Sequence, residues 1–184
     1  MTLRAIARGV LEKYRQYLQD LYLSRERSPA VSKSRGVMDM FKHILIPTDG
    51  SEPSEAAIQA AVQFAKSIKA RVTGFYAMPK FHMLAYGPEM VTDTRQEFAK
   101  DCKAHADRFL AVIMRAAKAA DVPCETALQT SDQPYEAIIA AAKERDCDLI
   151  MMASHGRRGV QAFLLGSETQ KVLTHSKIPV LVFR

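Results

Sequence analysis

The sequence predicts an α/β domain in which one doubly wound sheet of five parallel strands carries helices on both faces. Two observations lead to this prediction. From residue 44 to the end of the chain, short apolar runs alternate with segments whose apolar residues recur at helical spacing. The 184 residues are 48% hydrophobic and 25% charged, which is typical of a globular domain with its own core and excludes a disordered chain.

The elements follow from local patterns in chain order. The first strand is the apolar run at 44–48, and Ser51 or Ser54 can cap the helix that follows it. Pro134 opens a later helix at a position where its missing N–H has no cost. The remaining apolar runs predict strands at 72–77, 124–129, 148–153 and 178–183, and the helical spacing predicts helices at 93–120, 134–145 and 167–175.

Residues 1–37 differ from the rest of the chain in charge. They hold eight basic and three acidic residues, a formal charge of +5, whereas residues 38–184 carry +1. Apolar residues at helical spacing over 3–22, followed by a polar stretch, predict a basic amphipathic helix and a linker before the domain. Two interpretations stay open. Either translation starts at Met38 or Met40, or the helix packs on the domain, pairs with its copy or contacts an anionic membrane surface.

Composition argues against several other classes of protein. The small net charge of residues 38–184 argues against nucleic-acid binding, although the whole chain has a pI of 9.3. We expect no membrane span and no signal peptide, because no apolar stretch is long enough. Three cysteines outside any CxxC pair predict reduced thiols in a cytoplasmic protein. Four histidines lack metal-ligand spacing and are interpreted as structural or exposed: His43, His82, His105 and His175.

Two polar segments follow predicted strands and are candidates for a binding site. Residues 47–51 follow the first strand, and residues 153–159 follow the fourth and lead to Gly166-Ser167 at a helix start. Ligands of open parallel sheets bind beyond the carboxyl ends of strands, and a helix N-terminus attracts anions. These features predict a nucleotide site. Asp-Gly-Ser turns and Gly-Ser caps are also common structural elements, and the chain has neither a Walker A loop nor a GxGxxG motif.

The spacing of the glycines in the second segment is more specific. Nine residues separate Gly156 from Gly166-Ser167, and Ala153 stands three positions before Gly156. With the segments 41–51 and 178–182, this pattern resembles the universal stress protein family over residues 40–184. The ATP-binding members of that family carry a glycine at the position of Ala153. The extra methyl group would weaken binding if it lies at a contact between backbone and phosphate.

The resemblance implies a Rossmann-like, adenine nucleotide alpha hydrolase-like fold and a role for each site residue. The adenosine pocket would be lined by Pro47, Thr48 and Asp49, with Ala77 packed against adenine. Ribose and phosphate would contact the backbone of Ala153 and Gly156. The phosphates would be held at the last helix by Gly166, Ser167 and Thr169, with a divalent cation such as Mg²⁺ bridging their oxygens. His155 and Arg157 lie in the loop beside the expected phosphates.

The resemblance also implies a homodimer that pairs through the last strand. Asp49 is expected at the adenosine end, which leaves only His155 as a loop candidate for a catalytic base near the γ-phosphate. We therefore predict an ATP-binding regulatory module with at most slow ATP turnover. A nucleotide-free dimeric interaction protein is the alternative that Ala153 favours. A nucleotidyl- or phosphoryl-transferring enzyme on a related fold is a third hypothesis, against which the absence of an HxGH-type signature argues.

Overall fold

The structure is a computed structural model that describes residues 41–80, 91–156 and 165–184, with the backbone alone at 91–96. These ranges contain five strands and four helices that alternate along the chain. In order they are β1 (His43–Pro47), α1 (Glu52–Ile68), β2 (Arg71–Met78), α2 (Val91–Ala120), β3 (Cys124–Thr130), α3 (Pro134–Glu144), β4 (Leu149–Ala153), α4 (Ser167–His175) and β5 (Val180–Phe183).

The predicted order of elements is confirmed, and their ends lie within two residues of the prediction. The largest difference at a strand start is in the last strand, which begins at Val180 and not at 178. The reason is local, because the Ser176 hydroxyl donates to the carbonyl of Ile178 at 2.7 Å and accepts from its N–H at 3.0 Å. The predicted helix at 3–22, the linker after it and Arg157 lie outside the described residues.

All five strands are parallel, in the order β3-β2-β1-β4-β5. The chain builds outward from β1 to β2 and β3, and then returns to place β4 on the other side of β1. The strand order therefore reverses between β1 and β4, where Ile44 pairs with Leu149 and Leu45 with Ile150. This switch point is where open α/β sheets bind their ligands. β3 and β5 are the edge strands.

Helices cover both faces of the sheet, as predicted. On one face, α3 and α4 pack over an apolar cluster that includes Leu45, Phe75, Ile138, Ile150 and Val172. On the other face, α1 packs against β4 and α2 against β2 and β3. Side chains of the central strands are buried on both faces, which explains why these strands read as continuous apolar runs.

Three helices end in the same turn before they enter a strand. Lys69, Asp121 and Asp146 follow α1, α2 and α3 with left-handed φ values of 58°, 58° and 52°. In each turn the next residue donates its N–H to a carbonyl five positions earlier, for example Ala70 to Ala65 at 2.9 Å. This is the Schellman pattern, which glycine usually completes.

Two further predictions concern the cysteines, which are expected to be reduced, and the helices, none of which is expected to span a membrane. Cys102, Cys124 and Cys147 are free thiols. Burial raises the pKa of the Cys147 thiol to about 12, so it stays protonated and unreactive at neutral pH. Within the described ranges, no helix has the length and hydropathy to cross a membrane.

Candidate functional site

The chain leaves β1 through a tight turn at the switch point. Gly50 has a φ of 73°, a conformation that side chains disfavour. The turn is closed by the buried hydroxyl of Thr48, which accepts from the Gly50 N–H at 3.1 Å and from the Ser54 hydroxyl at 2.9 Å. Ser51 is the N-cap of α1, and its hydroxyl accepts from the Ser54 N–H at 3.4 Å. Of the two predicted caps, Ser51 is therefore the one that caps the helix.

Asp49 joins this turn to the end of β4. Its Oδ1 atom accepts from the Ser51 N–H at 3.0 Å and from the Ser51 hydroxyl at 2.6 Å. Its Oδ2 atom lies so close to Gly156 that a Cβ atom there would overlap it. Gly156 thus has a structural reason to lack a side chain, and the two predicted segments meet in space.

The segment after β4 places a histidine beside this contact. The Ser154 N–H donates to the carbonyl of Phe183 at 2.6 Å, which extends the pairing of β4 with β5. The Ser154 hydroxyl lies 2.9 Å from Nδ1 of His155. The other ring nitrogen of His155, Nε2, is buried and has no hydrogen-bond partner among the described residues. A buried polar atom in this state is unfavourable unless a ligand or water completes it.

Helix α4 begins next to the same segment. The Gly166 N–H donates to the carbonyl of Ser154 at 2.8 Å, and the Thr169 hydroxyl donates to the carbonyl of Ala153 at 3.0 Å. Gly166 is the N-cap, and no described side chain caps the helix through a hydrogen bond. Its φ of −58° is open to any residue, so space favours glycine here: a Cβ atom would lie 3.2 Å from the Ser154 carbonyl oxygen.

These residues form one cluster, which we call the switch-point site: residues 48–51, 153–156 and 166–169. Three predicted site residues contribute less directly, and two of them, Pro47 and Ala77, lie outside these ranges. Thr169 is only 4% exposed and its hydroxyl bonds to the backbone, so its observed contact anchors α4. Ala77 is half-buried and packs against the apolar cluster under α3. Pro47 is buried at the end of β1, level with Phe75.

The methyl group of Ala153 lies on the face of the sheet that is opposite the apolar cluster under α3. Ala153 is 8% exposed as the last residue of β4. Met152 packs in the cluster under α3, so the alternation of side chains along a strand places Ala153 on the opposite face of the sheet. The Ala153 carbonyl, in contrast, is directed to α4 through Thr169.

Helix α2 supplies a wall of the site that is not predictable from the sequence. The Phe109 ring fills the space at Gly50, where a Cβ atom would overlap it. The Tyr76 ring lies 5.5 Å from the Phe109 ring, and the Arg108 guanidinium lies 5.1 Å from its centre. Helical spacing assigns Phe109 to an apolar face, but it carries no information about which turn that face meets.

Another residue of the site that is not predictable from the sequence is Glu168, in the first turn of α4. Its carboxylate accepts from the Tyr135 N–H at 2.9 Å and from Lys171 at 2.8 Å. It therefore caps α3 from outside and ties the two helix N-termini together. The hydrogen bond to Glu168 raises the pKa of Lys171. A carboxylate in this turn would repel an anion, and these two donors offset part of its charge.

Outside the switch-point site, the described residues provide weaker candidates for a binding site. A shallow, mostly apolar groove of about 600 Å³ lies between the C-terminal half of α2 and the start of β3, far from the switch point. In the described residues, no group of three or more His, Cys, Asp or Glu side chains has the arrangement to hold a metal ion.

A parallel sheet whose strand order reverses, with helices on both faces, defines a class of protein, the doubly wound α/β domains. The model of the universal stress protein family matches residues 40–184. The chain belongs to the universal stress protein family.

Individual relatives agree with this assignment. A universal stress protein of Thermus aquaticus is 33% identical over 147 residues, which cover 79% of this chain and all of the relative. The protein YxiE of Bacillus subtilis is 30% identical, with 79% of this chain and all of that protein covered. The solved structure of UspA from Lactobacillus plantarum superposes with a TM-score of 0.65 and 26% identity, covering 78% of this chain and 98% of that one.

Proposed function

We propose that this domain binds an adenine nucleotide, foremost ATP, at the switch-point site and acts as a regulatory module. One observation carries the proposal. The Asp49 carboxylate lies against Gly156 beside the first turn of α4, so an acid, a glycine loop and a helix N-terminus converge between β1 and β4. Anion and hydroxyl recognition are then available within one site.

The phosphates would lie at the start of α4. The backbone N–H groups at the start of a helix and its dipole favour negative charge, and Gly166 leaves their approach open. We assign phosphate contacts to the backbone N–H groups of Gly156, Ser167 and Thr169. The Gly166 N–H and the Thr169 hydroxyl donate to the carbonyls of Ser154 and Ala153, so they would serve the phosphates by holding the start of α4 in place. The buried Nε2 atom of His155, which has no partner among the described residues, fits a phosphate oxygen. Arg157 would add positive charge.

The adenosine would lie at the end of β1. There we assign the apolar contacts to Pro47, Thr48 and Ala77, and the polar contact to Asp49. Two solved structures of the same fold support an adenine nucleotide: one universal stress protein is in complex with cAMP, and one from Archaeoglobus fulgidus is in complex with dAMP. They share 23% and 18% identity with this chain, so they support the ligand class through the fold.

A Mg²⁺ ion would enter with the nucleotide. The described residues hold no cluster that could bind a metal by itself, so the ion would be held by phosphate oxygens and water. The main-chain N–H groups and the Ser167 hydroxyl at the start of α4 would then position the phosphates. We expect regulation and at most slow turnover, because Oδ1 of Asp49 is committed to Ser51 and the acid lies at the adenosine end.

Dimerisation is the second part of the proposal. β5 is an edge strand, and its residues Val180–Phe183 are apolar and only half-buried. Leu173 on the neighbouring helix α4 is 41% exposed. An exposed apolar edge strand favours pairing with another strand, and the same strand of a second copy satisfies this by symmetry. If nucleotide binding fails, this surface supports the alternative of a nucleotide-free dimeric interaction protein, which Ala153 favours.

Calorimetric titration of the full chain with ATP and MgCl₂ tests the first part. We expect saturable binding of ATP that exceeds that of GTP, and weaker binding by Asp49→Asn, which keeps the shape of the turn. Asp107→Asn, the same change on an exposed face of α2, is the matched control and should bind normally. A folded protein without detectable heat at millimolar ATP would overturn the proposal.

Sedimentation equilibrium tests the second part. We expect a dimer that Leu181→Lys on β5 dissociates, whereas Leu128→Lys on the opposite edge strand β3 leaves it intact. Leu128 is 43% exposed and is therefore a matched site for an added charge. A monomeric protein, or equal effects of the two variants, would contradict pairing through β5. A dimer that binds no nucleotide would select the alternative function.

A further inference from the structure

A second polar cluster lies at the amino end of the sheet, opposite the switch-point site. His43 of β1 is 2% exposed, and its Nε2 atom lies 2.7 Å from the hydroxyl oxygen of Thr73 on β2. Thr73 is fully buried and donates to Oε1 of Glu125 on β3 at 2.9 Å. Arg145, after α3, pairs with the same oxygen at 3.3 Å. We call these four residues the His43 cluster.

The direction of these hydrogen bonds fixes the state of the histidine. A hydroxyl has one hydrogen, and Thr73 gives it to the Glu125 carboxylate, which only accepts when ionised. Thr73 must therefore accept from His43, so Nε2 carries the proton of the neutral ring. Nδ1 is then the site that titrates. It is buried and makes no hydrogen bond with the described residues.

Charged groups surround the ring from every neighbouring element. Arg71 lies on β2, Glu125 on β3 and Asp148 just before β4, and the backbone of Arg145 approaches from α3. Burial is the largest influence and lowers the pKa of His43, Arg71 lowers it further, and the other three groups raise it in part. Glu125 is the nearest compensating charge, 3.9 Å from Nε2, and is half exposed to solvent.

The backbone of His43 is held at the start of β1 by Asp148. The Asp148 carboxylate accepts from the Lys42 N–H at 2.7 Å and from the His43 N–H at 3.0 Å, and the Asp148 N–H donates to the His43 carbonyl at 2.9 Å. Two of these bonds lie on the backbone of His43, next to the ring. The residue that carries the ring therefore also takes part in joining the start of β1 to the start of β4.

We propose that the His43 cluster is an acid-sensitive latch: protonation of His43 at Nδ1 releases the ring and loosens the amino end of the sheet. The proton would introduce a positive charge into a buried position beside Arg71, and Glu125, Asp148 and the Arg145 backbone would offset its cost only in part. Such a group is destabilising in the interior. The latch is independent of the nucleotide proposal, because it rests on none of the residues of the switch-point site.

The sign of the effect follows from the lowered pKa. The unfolded chain binds the proton near the ordinary value of 6.5, and the folded chain binds it only at lower pH. The contribution of neutral His43 to the free energy of unfolding is therefore fully present above pH 6.5. It is lost as the pH falls from 6.5 through the pKa of His43 in the folded chain. The Glu125 carboxylate, whose pKa is lowered chiefly by the Thr73 hydrogen bond, loses its contribution only below its ordinary value of 4.5.

Thermal unfolding of the full chain at pH 7.5 and at pH 5.5 tests the latch. We expect His43→Gln, which cannot titrate but can still donate to Thr73, to lose about 2 to 4 °C less than the wild type over this interval. His105→Gln removes an exposed histidine from α2 and should behave as the wild type. Equal losses in His43→Gln and the wild type would overturn the proposal.

A titration of the wild type by NMR decides the matter even if His43→Gln does not fold. We expect the His43 ring to titrate below pH 6.5, with faster exchange of the His43 and Asp148 amides as it does. Glu125→Gln removes the compensating charge, so its acid loss of melting temperature should exceed that of the wild type. A His43 midpoint at or above pH 6.5 would contradict the latch.

Discussion

The two ends of this sheet use similar residues for different purposes. At the amino end, both oxygens of Asp148 accept backbone N–H groups, and His43 is linked to Glu125 through Thr73. At the carboxyl end, Asp49 holds its own turn through Oδ1 and directs Oδ2 to Gly156. At the amino end the polar groups pair mostly with each other, and Nδ1 of His43 is the exception among the described residues, whereas the carboxyl end presents polar groups where the strand order reverses.

The histidines at the two ends, His43 and His155, also differ in their surroundings. His43 is buried with one nitrogen in a chain of hydrogen bonds, and that chain ends on a half-exposed carboxylate. His155 is less buried, bonds to Ser154, and keeps a buried nitrogen beside the first turn of α4. An aspartate or a histidine is therefore not a functional signal by itself. Position relative to the switch point and the helix N-terminus makes Asp49 and His155, and not Asp148 and His43, the candidates for nucleotide binding.

Gly50→Ala should give the largest effect, because it breaks the turn of the carboxyl end. A Cβ atom at a φ of 73° is strained, and it would overlap the Phe109 ring. We expect a loss of about 2–4 kcal/mol in the free energy of unfolding, measured in urea. The double variant with Phe109→Ala should lose less than the two single variants together. A loss of less than about 0.5 kcal/mol for Gly50→Ala would show that the turn is not built as described.

Asp148→Asn should weaken the amino end without changing the carboxyl end. The amide group can accept only one of the two N–H groups of Lys42 and His43 and faces the other with a donor. We expect a loss of about 1–3 kcal/mol in the free energy of unfolding, with ATP affinity unchanged in folded protein. The contrast is Asp49→Asn, which should lower ATP affinity with little loss of stability. If both variants lowered affinity equally, the division between the two ends would be wrong.

The smallest expected effect is a gain in stability at the amino end. Lys69 adopts a left-handed φ of 58° in a Schellman turn, where glycine has no penalty. We expect Lys69→Gly to raise the free energy of unfolding by about 0.5–1 kcal/mol. Ser176→Gly is the contrasting variant and should lower it, because the backbone there is extended and the two hydrogen bonds of the Ser176 hydroxyl to Ile178 are lost. A destabilised Lys69→Gly would mean that the Lys69 side chain makes a stabilising contact.

The order of strands and helices is predictable from the sequence because it depends on local periodicity. The meeting of the segments after β1 and β4 is predictable too, since the switch-point rule brings distant strand ends together. Spacing gave no sign that Gly156 faces Asp49, or that Phe109 closes on Gly50. The His43 cluster was equally hidden, because 30 residues separate His43 from Thr73 and 52 separate Thr73 from Glu125. Contacts between common residue types at such separations depend on strand register, which local patterns do not specify.

Mapping the amide chemical shifts of the full chain during titration with Mg·ATP tests the central claim most directly. We expect the shifts to concentrate at 48–51, 153–156 and 166–169, while the amides of Lys42, His43 and Asp148 stay unchanged. Shifts centred on the amino end or on the groove between α2 and β3, or a folded protein with no shifts at millimolar nucleotide, would contradict it.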